Sequence, residues 1–142
     1  MEFSRRDTLA MGLGAAALTV LPVGAWAAAD DKVAAAIEAF TGGADMADSG
    51  VDLTAPEIAE NGNTVPIEVS APGAEAIMVL AAGNPTPGVA TFNFGPLAAS
   101  QSAATRIRLA GTQDVIAIAK MSDGSFARAS STVKVTIGGC GG

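Results

Sequence analysis

Apolar and polar positions change their spacing along the chain. Ala10-Met11-Gly12-Leu13-Gly14-Ala15-Ala16-Ala17-Leu18-Thr19-Val20-Leu21 is a mildly apolar run, rich in Gly and Ala. It is shorter than the roughly 20 apolar residues that a helix needs to cross a bilayer. From Asp31 to Phe40, Val33, Ile37 and Phe40 stand at i, i+4 and i+7, which predicts one helical stripe. Asp30 or Asp31 is the expected cap at its start, and Thr41-Gly42-Gly43 the expected stop. Pro56-Glu57-Ile58-Ala59-Glu60 is expected to add a turn of helix before Asn61-Gly62.

Beyond Asn61-Gly62 the period becomes two. Val65, Ile67 and Val69 alternate with Pro66, Glu68 and Ser70. Pro66 cannot donate to a ladder, which predicts an edge strand or a strand start. Ile77-Met78-Val79-Leu80 and Val115-Ile116-Ala117-Ile118 are continuous apolar runs, expected of strands covered on both faces. Phe92 and Phe94 flank Asn93, and Arg106-Ile107-Arg108-Leu109 alternates. Val133, Val135 and Ile137 are expected on one face, opposite Thr132, Lys134 and Thr136. Asn84-Pro85-Thr86-Pro87-Gly88 and Asp123-Gly124 are turn signals. Six strand candidates separated by short turns predict a mostly β fold, an immunoglobulin-like antiparallel β-sandwich with a short N-terminal helix. Phe92, Phe94 and Phe126 are expected in the core or at a subunit interface.

Composition narrows the chemistry. The 142 residues contain no His and one Cys. That excludes Ser-His-Asp and Cys-His catalysis, His-ligated zinc and an internal disulfide or CxxC pair. No catalytic residue and no metal ligand set is predicted in this chain. A net charge of −6 makes nucleic acid a poor partner. Ten acids and one Lys lie between Asp30 and Glu75; from Ala76 onward two acids accompany Arg106, Arg108, Lys120, Arg128 and Lys134. This split means either loops and solvated faces of different sign or a mildly basic face for anions.

The N-terminus reads as an address. Arg5 and Arg6 precede the apolar run, and Ala25-Trp26-Ala27 has the small-x-small form of a signal-peptidase site. Cutting after Ala27 would make Ala28 or a neighbour the mature start. The paired arginines predict twin-arginine (Tat) export to the periplasm, with no membrane anchor. Thr8 and Ala10 stand where that motif more often has other residues. Tat carries folded cargo, which suggests a partner lacking its own signal. Residues 1–27 are thus expected to be leader, 28–137 one sandwich domain and 138–142 an arm.

The arm carries the chemistry. Gly138-Gly139-Cys140-Gly141-Gly142 follows the last strand candidate and holds the one thiol. Glycine samples positive and negative φ alike, so a flexible arm is expected. Three residues beyond Ile137 reach roughly 10 Å when extended. An exposed thiol titrates near its ordinary pKa of about 8.5, so a few per cent is thiolate at neutral pH. Three uses of this tail are open. The first is a tether at Cys140 for a substrate passed among enzymes, the second a Gly141-Gly142 end that resembles that of ubiquitin-like sulfur carriers, and the third a lipid site at the Cys. The second route needs cytoplasmic activation by ATP, against the export signal. The third lacks both CaaX spacing and a lipobox.

Val133-Lys134-Val135-Thr136-Ile137-Gly138-Gly139-Cys140-Gly141-Gly142 closely resembles the C-terminus of the SoxY family, the sulfur-carrier subunits of bacterial Sox thiosulfate oxidation. The leader, Glu60-Asn61-Gly62-Asn63-Thr64-Val65-Pro66, Asn84-Pro85-Thr86-Pro87 and Thr112-Gln113 are similar to that family as well. The resemblance implies a non-enzymatic carrier whose Cys140 holds sulfur intermediates. It implies a heterodimer with the signal-less SoxZ, loading by the c-type haem enzyme SoxXA, sulfate release by the manganese-dependent hydrolase SoxB and, where present, a sulfur dehydrogenase. Haem and manganese then belong to the partners, and this chain carries no cofactor. The competing expectation is an adhesive or structural immunoglobulin-like module whose tail Cys only forms an intermolecular disulfide.

Overall fold

The computed structural model describes residues 24–138, with side chains from Asp30 onward. One helix, α1 (Gly24–Thr41), leads into nine strands: β1 (Met46–Ala47), β2 (Asp52–Thr54), β3 (Ile58–Ala59), β4 (Val65–Ser70), β5 (Ala74–Ala81), β6 (Gly88–Asn93), β7 (Ser102–Ile107), β8 (Gln113–Met121) and β9 (Phe126–Val135). Arg5, Arg6, Gly139, Cys140, Gly141 and Gly142 lie outside the described residues.

Helix α1 begins at Gly24 rather than Asp31. Ala25, Ala27, Ala28 and Ala29 explain the difference, because Ala has the highest helix propensity and nothing between Ala25 and Thr41 breaks the run. Asp30 and Asp31 are therefore interior residues and not caps. The predicted stop is where the helix ends. Gly42 and Gly43 both take positive φ, 66° and 82°, a conformation side chains resist. Thr41 Oγ1 donates to the Ile37 carbonyl (2.9 Å) and accepts from the Gly43 N–H (3.3 Å).

The strands form two sheets. The larger has the order β1-β9-β8-β5-β6, with β3 also paired to β9; the smaller is β2-β4-β7. The continuous apolar runs are covered on both faces, as their composition predicts. Ile77, Val79 and Ala81 of β5, with Val115, Ala117 and Ala119 of β8, pack in one cluster with Val65, Ile67 and Val69 of β4 between the sheets. The alternate residues Met78, Leu80, Ile116 and Ile118 pack with Phe126 against Val33, Ile37 and Phe40 of α1. Phe40 and Phe126 meet edge to face, with ring centroids 6.0 Å apart. Phe92 and Phe94 pack against the inter-sheet core, half-buried.

Pro66 sits at the second position of β4, which lies between β2 and β7. The Ala71 N–H donates to Gln101 on the β7 side, so strand alternation aims the Pro66 nitrogen at the β2 edge. Strand β2 has already ended there, with Thr54 opposite Glu68, and no ladder bond is lost.

Several expectations fail. Residues 56–60 are not helical: Ile58 and Ala59 form β3, drawn straight by pairing with Lys134 and Val135. Strands β1, β2 and β3 are too short to show a period. The sandwich is not wholly antiparallel, because β1 and β3 both run parallel to β9. They occupy its outer edge, the other edge being paired to β8, and so cover what would otherwise be an open strand edge. Strand β9 stops at Val135, and Ile137 is 65% exposed rather than on the core face with Val133.

Candidate functional site at the root of the C-terminal arm

Strand β9 links two different ends of the molecule. At one end it joins β8 through a turn in which Asp123 Oδ1 accepts from the Ser125 N–H (2.9 Å) and from its hydroxyl. These bonds, the hydroxyl's first and the amide's second, hold the Asp123 carboxyl below its ordinary pKa. At the other end β9 hands over to the arm, and there the chain is gripped from both sides. The Lys134 and Thr136 N–H groups donate to the Glu57 and Ala59 carbonyls (2.9 and 3.0 Å). The Val135 N–H donates to Thr112 Oγ1 on the opposite edge (3.0 Å).

The grip continues past the strand. The Ile137 carbonyl accepts from the Gly62 N–H (2.7 Å), and the Gly62 carbonyl accepts from the Leu109 N–H (2.8 Å). Gly62 is buried and Leu109 is fully buried. A Cβ at Gly138 would overlap the Ala110 carbonyl oxygen, so only glycine fits this close approach. The arm is therefore seated through Gly138, and the residues from Gly139 on lie outside the described ones.

The turn that receives Gly138 is shaped by two amides. Asn84 Nδ2 donates to the Arg108 carbonyl (2.8 Å), and Asn84 Oδ1 accepts from the Ala110 N–H (2.9 Å). Gln113 Nε2 donates to the same Asn84 oxygen (2.9 Å) and to the Gly111 carbonyl (3.0 Å), while Gln113 Oε1 accepts from the Gly83 N–H (2.9 Å). Gln113 is 8% exposed, so its amide has little water to fall back on. Glu60–Pro66, Asn84–Pro87 and Thr112–Gln113, distant in sequence, thus converge on the last described residues. Sequence reasoning marked these segments but gave Asn84, Gln113, Gly62 and Ala110 no role. A buried amide at the start of an otherwise apolar strand was the signal that could have found Gln113.

Two of the five basic residues from Ala76 onward lie at this seat, Arg108 in the receiving turn and Lys134 near the end of β9, and the other three are spread over the sheets. Arg106 pairs with Pro66 on the exposed outer face of the smaller sheet. Lys120 and Arg128 share the parity of Ile118, the helix side of the larger sheet. Among the described residues no group of three or more His, Cys, Asp or Glu is placed to hold a metal ion. The root is a mechanical seat, built of backbone groups and neutral amides, for whatever follows Gly138.

Fold and seat define a class: an immunoglobulin-like sandwich whose last strand hands the chain on from a closely packed seat at Gly138. The model of the sulfur oxidation protein SoxY matches residues 37–140, and the chain belongs to that family. A solved structure titled as the sulfur carrier protein SoxY from Chlorobium limicola f thiosulfatophilum is 35% identical, with TM-score 0.66, covering 76% of this chain and 99% of its own. A superoxide reductase (neelaredoxin) from Ignicoccus hospitalis is 18% identical with TM-score 0.54, covering 61% of this chain and 80% of its own. That second likeness shows the sandwich fold alone. No protein among the curated sequences matches the chain.

Proposed function

We propose that the protein is a periplasmic carrier of thiosulfate oxidation that holds sulfur intermediates covalently on Cys140 and presents them to partner enzymes. The observation that carries this reading is the seat at Gly138. In a member of the SoxY family, the one thiol follows two residues after this closely packed point in the sequence, which supports the reading. The arm comprises Gly138, Gly139, Cys140, Gly141 and Gly142, whose glycines leave no side chain beside the sulfur.

The chemistry asks little of the carrier itself. In loading, the Cys140 S–H bond breaks and an S–S bond to thiosulfate forms. One proton would go to water, and two electrons would pass one at a time through the haem of a SoxXA-type partner to its electron acceptor. In release, a SoxB-type hydrolase adds water to the terminal sulfone; sulfate leaves and a persulfide stays on Cys140. A sulfur dehydrogenase would then oxidise the outer persulfide sulfur to a sulfone, with three oxygens from water and six electrons passed to its acceptor, and a second hydrolysis would release sulfate and restore the thiol. A base, metal or haem is needed only in these partners, and SoxZ is the expected constant companion. Arg5 and Arg6 would direct Tat export. Cleavage after Ala27 would leave the α1 stripe of Val33, Ile37 and Phe40 in the mature protein.

Intact-mass spectrometry tests the reading. Incubation with thiosulfate, SoxZ and the oxidising partner is expected to add a thiosulfate-derived mass to Cys140. Cys140→Ser should abolish both adduct and turnover. Normal turnover by that variant, or a wild-type chain that yields only disulfide dimers, would overturn the carrier reading.

A further inference from the structure

The root of the arm could have been left loose, and it is not. Strand β9 ends at Val135, yet the next two residues are hydrogen-bonded and the third is closely packed. The Thr136 amide and the Ile137 carbonyl bond Ala59 and Gly62, and Gly138 lies too close to the Ala110 carbonyl to admit a side chain. The receiving turn has no regular strand of its own at residues 108–112. Its shape comes from Asn84, which bonds residues on both sides of buried Leu109, and from Gln113, which closes Asn84 and Gly111 together.

We propose that Asn84 and Gln113 are positioning residues for the carrier thiol. They hold the Arg108–Thr112 turn in the one shape that seats Gly138, so the reactive arm starts at Gly139 with a fixed origin and direction. The inference rests on the carrier reading and adds how the sulfur is aimed. A tether released back to Val135 would be three residues longer at its free end. Each freed residue must be ordered again whenever the arm enters a partner's channel, and that ordering has an entropic cost. The seat removes this cost in advance, which is preorganisation of the arm for its partner. Cys140 itself gains no acid, base or charge from the arrangement. The effect therefore falls on encounter with a partner enzyme and not on intrinsic thiol reactivity.

The test uses the full mature chain with SoxZ, thiosulfate and the oxidising haem partner. Gly138→Ala places a methyl against the Ala110 carbonyl, and Asn84→Ala removes the amide that shapes the turn. Both are expected to expose the Gly62 amide to hydrogen exchange, since its acceptor is the Ile137 carbonyl. Both should raise the KM for the carrier by about tenfold, the scale of ordering one freed residue. The kcat and the rate of alkylation by iodoacetamide should stay within about twofold, because reactive thiol and bound complex are unchanged. If Asn84→Ala fails to fold, Asn84→Asp carries the same expectation. It keeps the acceptor for Ala110 and loses the donor to Arg108. A wild-type KM in variants whose Gly62 amide is exposed would overturn the proposal, as would full protection of that amide in Gly138→Ala. Failure of the carrier reading looks different: the wild-type chain itself then takes no adduct at Cys140.

Discussion

At the residue scale, neutral amides and backbone groups do most of the positioning. Asn84 uses its donor and its acceptor, and Gln113 uses both ends of its side chain. The Asp123 carboxyl is held below its ordinary range by the Ser125 hydroxyl first and the Ser125 amide second. The sign follows from that direction. A carboxyl whose folded pKa is depressed adds stability above its unfolded value, near pH 4, and the contribution fades as pH falls through the lowered value. Removing the larger cause with Ser125→Ala should move the Asp123 titration back up, read by carboxyl NMR. An unchanged titration would mean that the hydroxyl contributes nothing. The acid-side stability loss from this group should be smaller in that variant and complete at a higher pH.

At the scale of elements, α1 matters for what it covers. Its stripe of Val33, Ile37 and Phe40 sits over Met78, Leu80, Ile116 and Ile118. Leu80→Ala removes a fully buried side chain from this layer and is expected to cost about 2–5 kcal/mol. Urea unfolding checks it: a midpoint shift below the equivalent of about 1 kcal/mol would mean that the helix collapses onto the gap. Much of this layer was legible in the sequence. The i, i+4, i+7 stripe fixed the face of the helix, and two unbroken apolar runs announced strands β5 and β8 with both faces covered. The seven residues between Gly24 and Asp30 were read as leader end and cap because the signal-peptidase pattern and a capping Asp overlap a strong Ala helix. Strands β1 and β3 were illegible for another reason. Two residues have no period, and their straightness comes from β9, which lies more than 70 residues further along.

At the scale of the molecule, Cys140 and its glycines stand out by composition alone, and the structure describes the seat that precedes them. The seat does not stand out, since it is made by long-range contacts among Gly62, Asn84, Leu109, Ala110 and Gln113, residues common in any turn. Strand parity sorts part of the charge split: Arg106 lies on the outside of the smaller sheet, Lys120 and Arg128 lie on the helix side of the larger one, and Arg108 and Lys134 lie at the seat of the arm.

The pairing of β9 also decides how the molecule carries load. When a partner holds the end of the chain while the carrier is driven away by thermal motion, tension enters at Ile137 and runs along the strand. Eight registered positions with β8, and the short parallel strands opposite, meet that pull in shear. All of these links must then slip together, whereas a hairpin peeled from its tip would yield one bond after another. In single-molecule pulling through Cys140, the sandwich is expected to give way in one high-force step, after a small early yield as Gly138 leaves its seat. Tension applied beyond Gly138 would then strain the root of the last strand first and leave the sandwich intact.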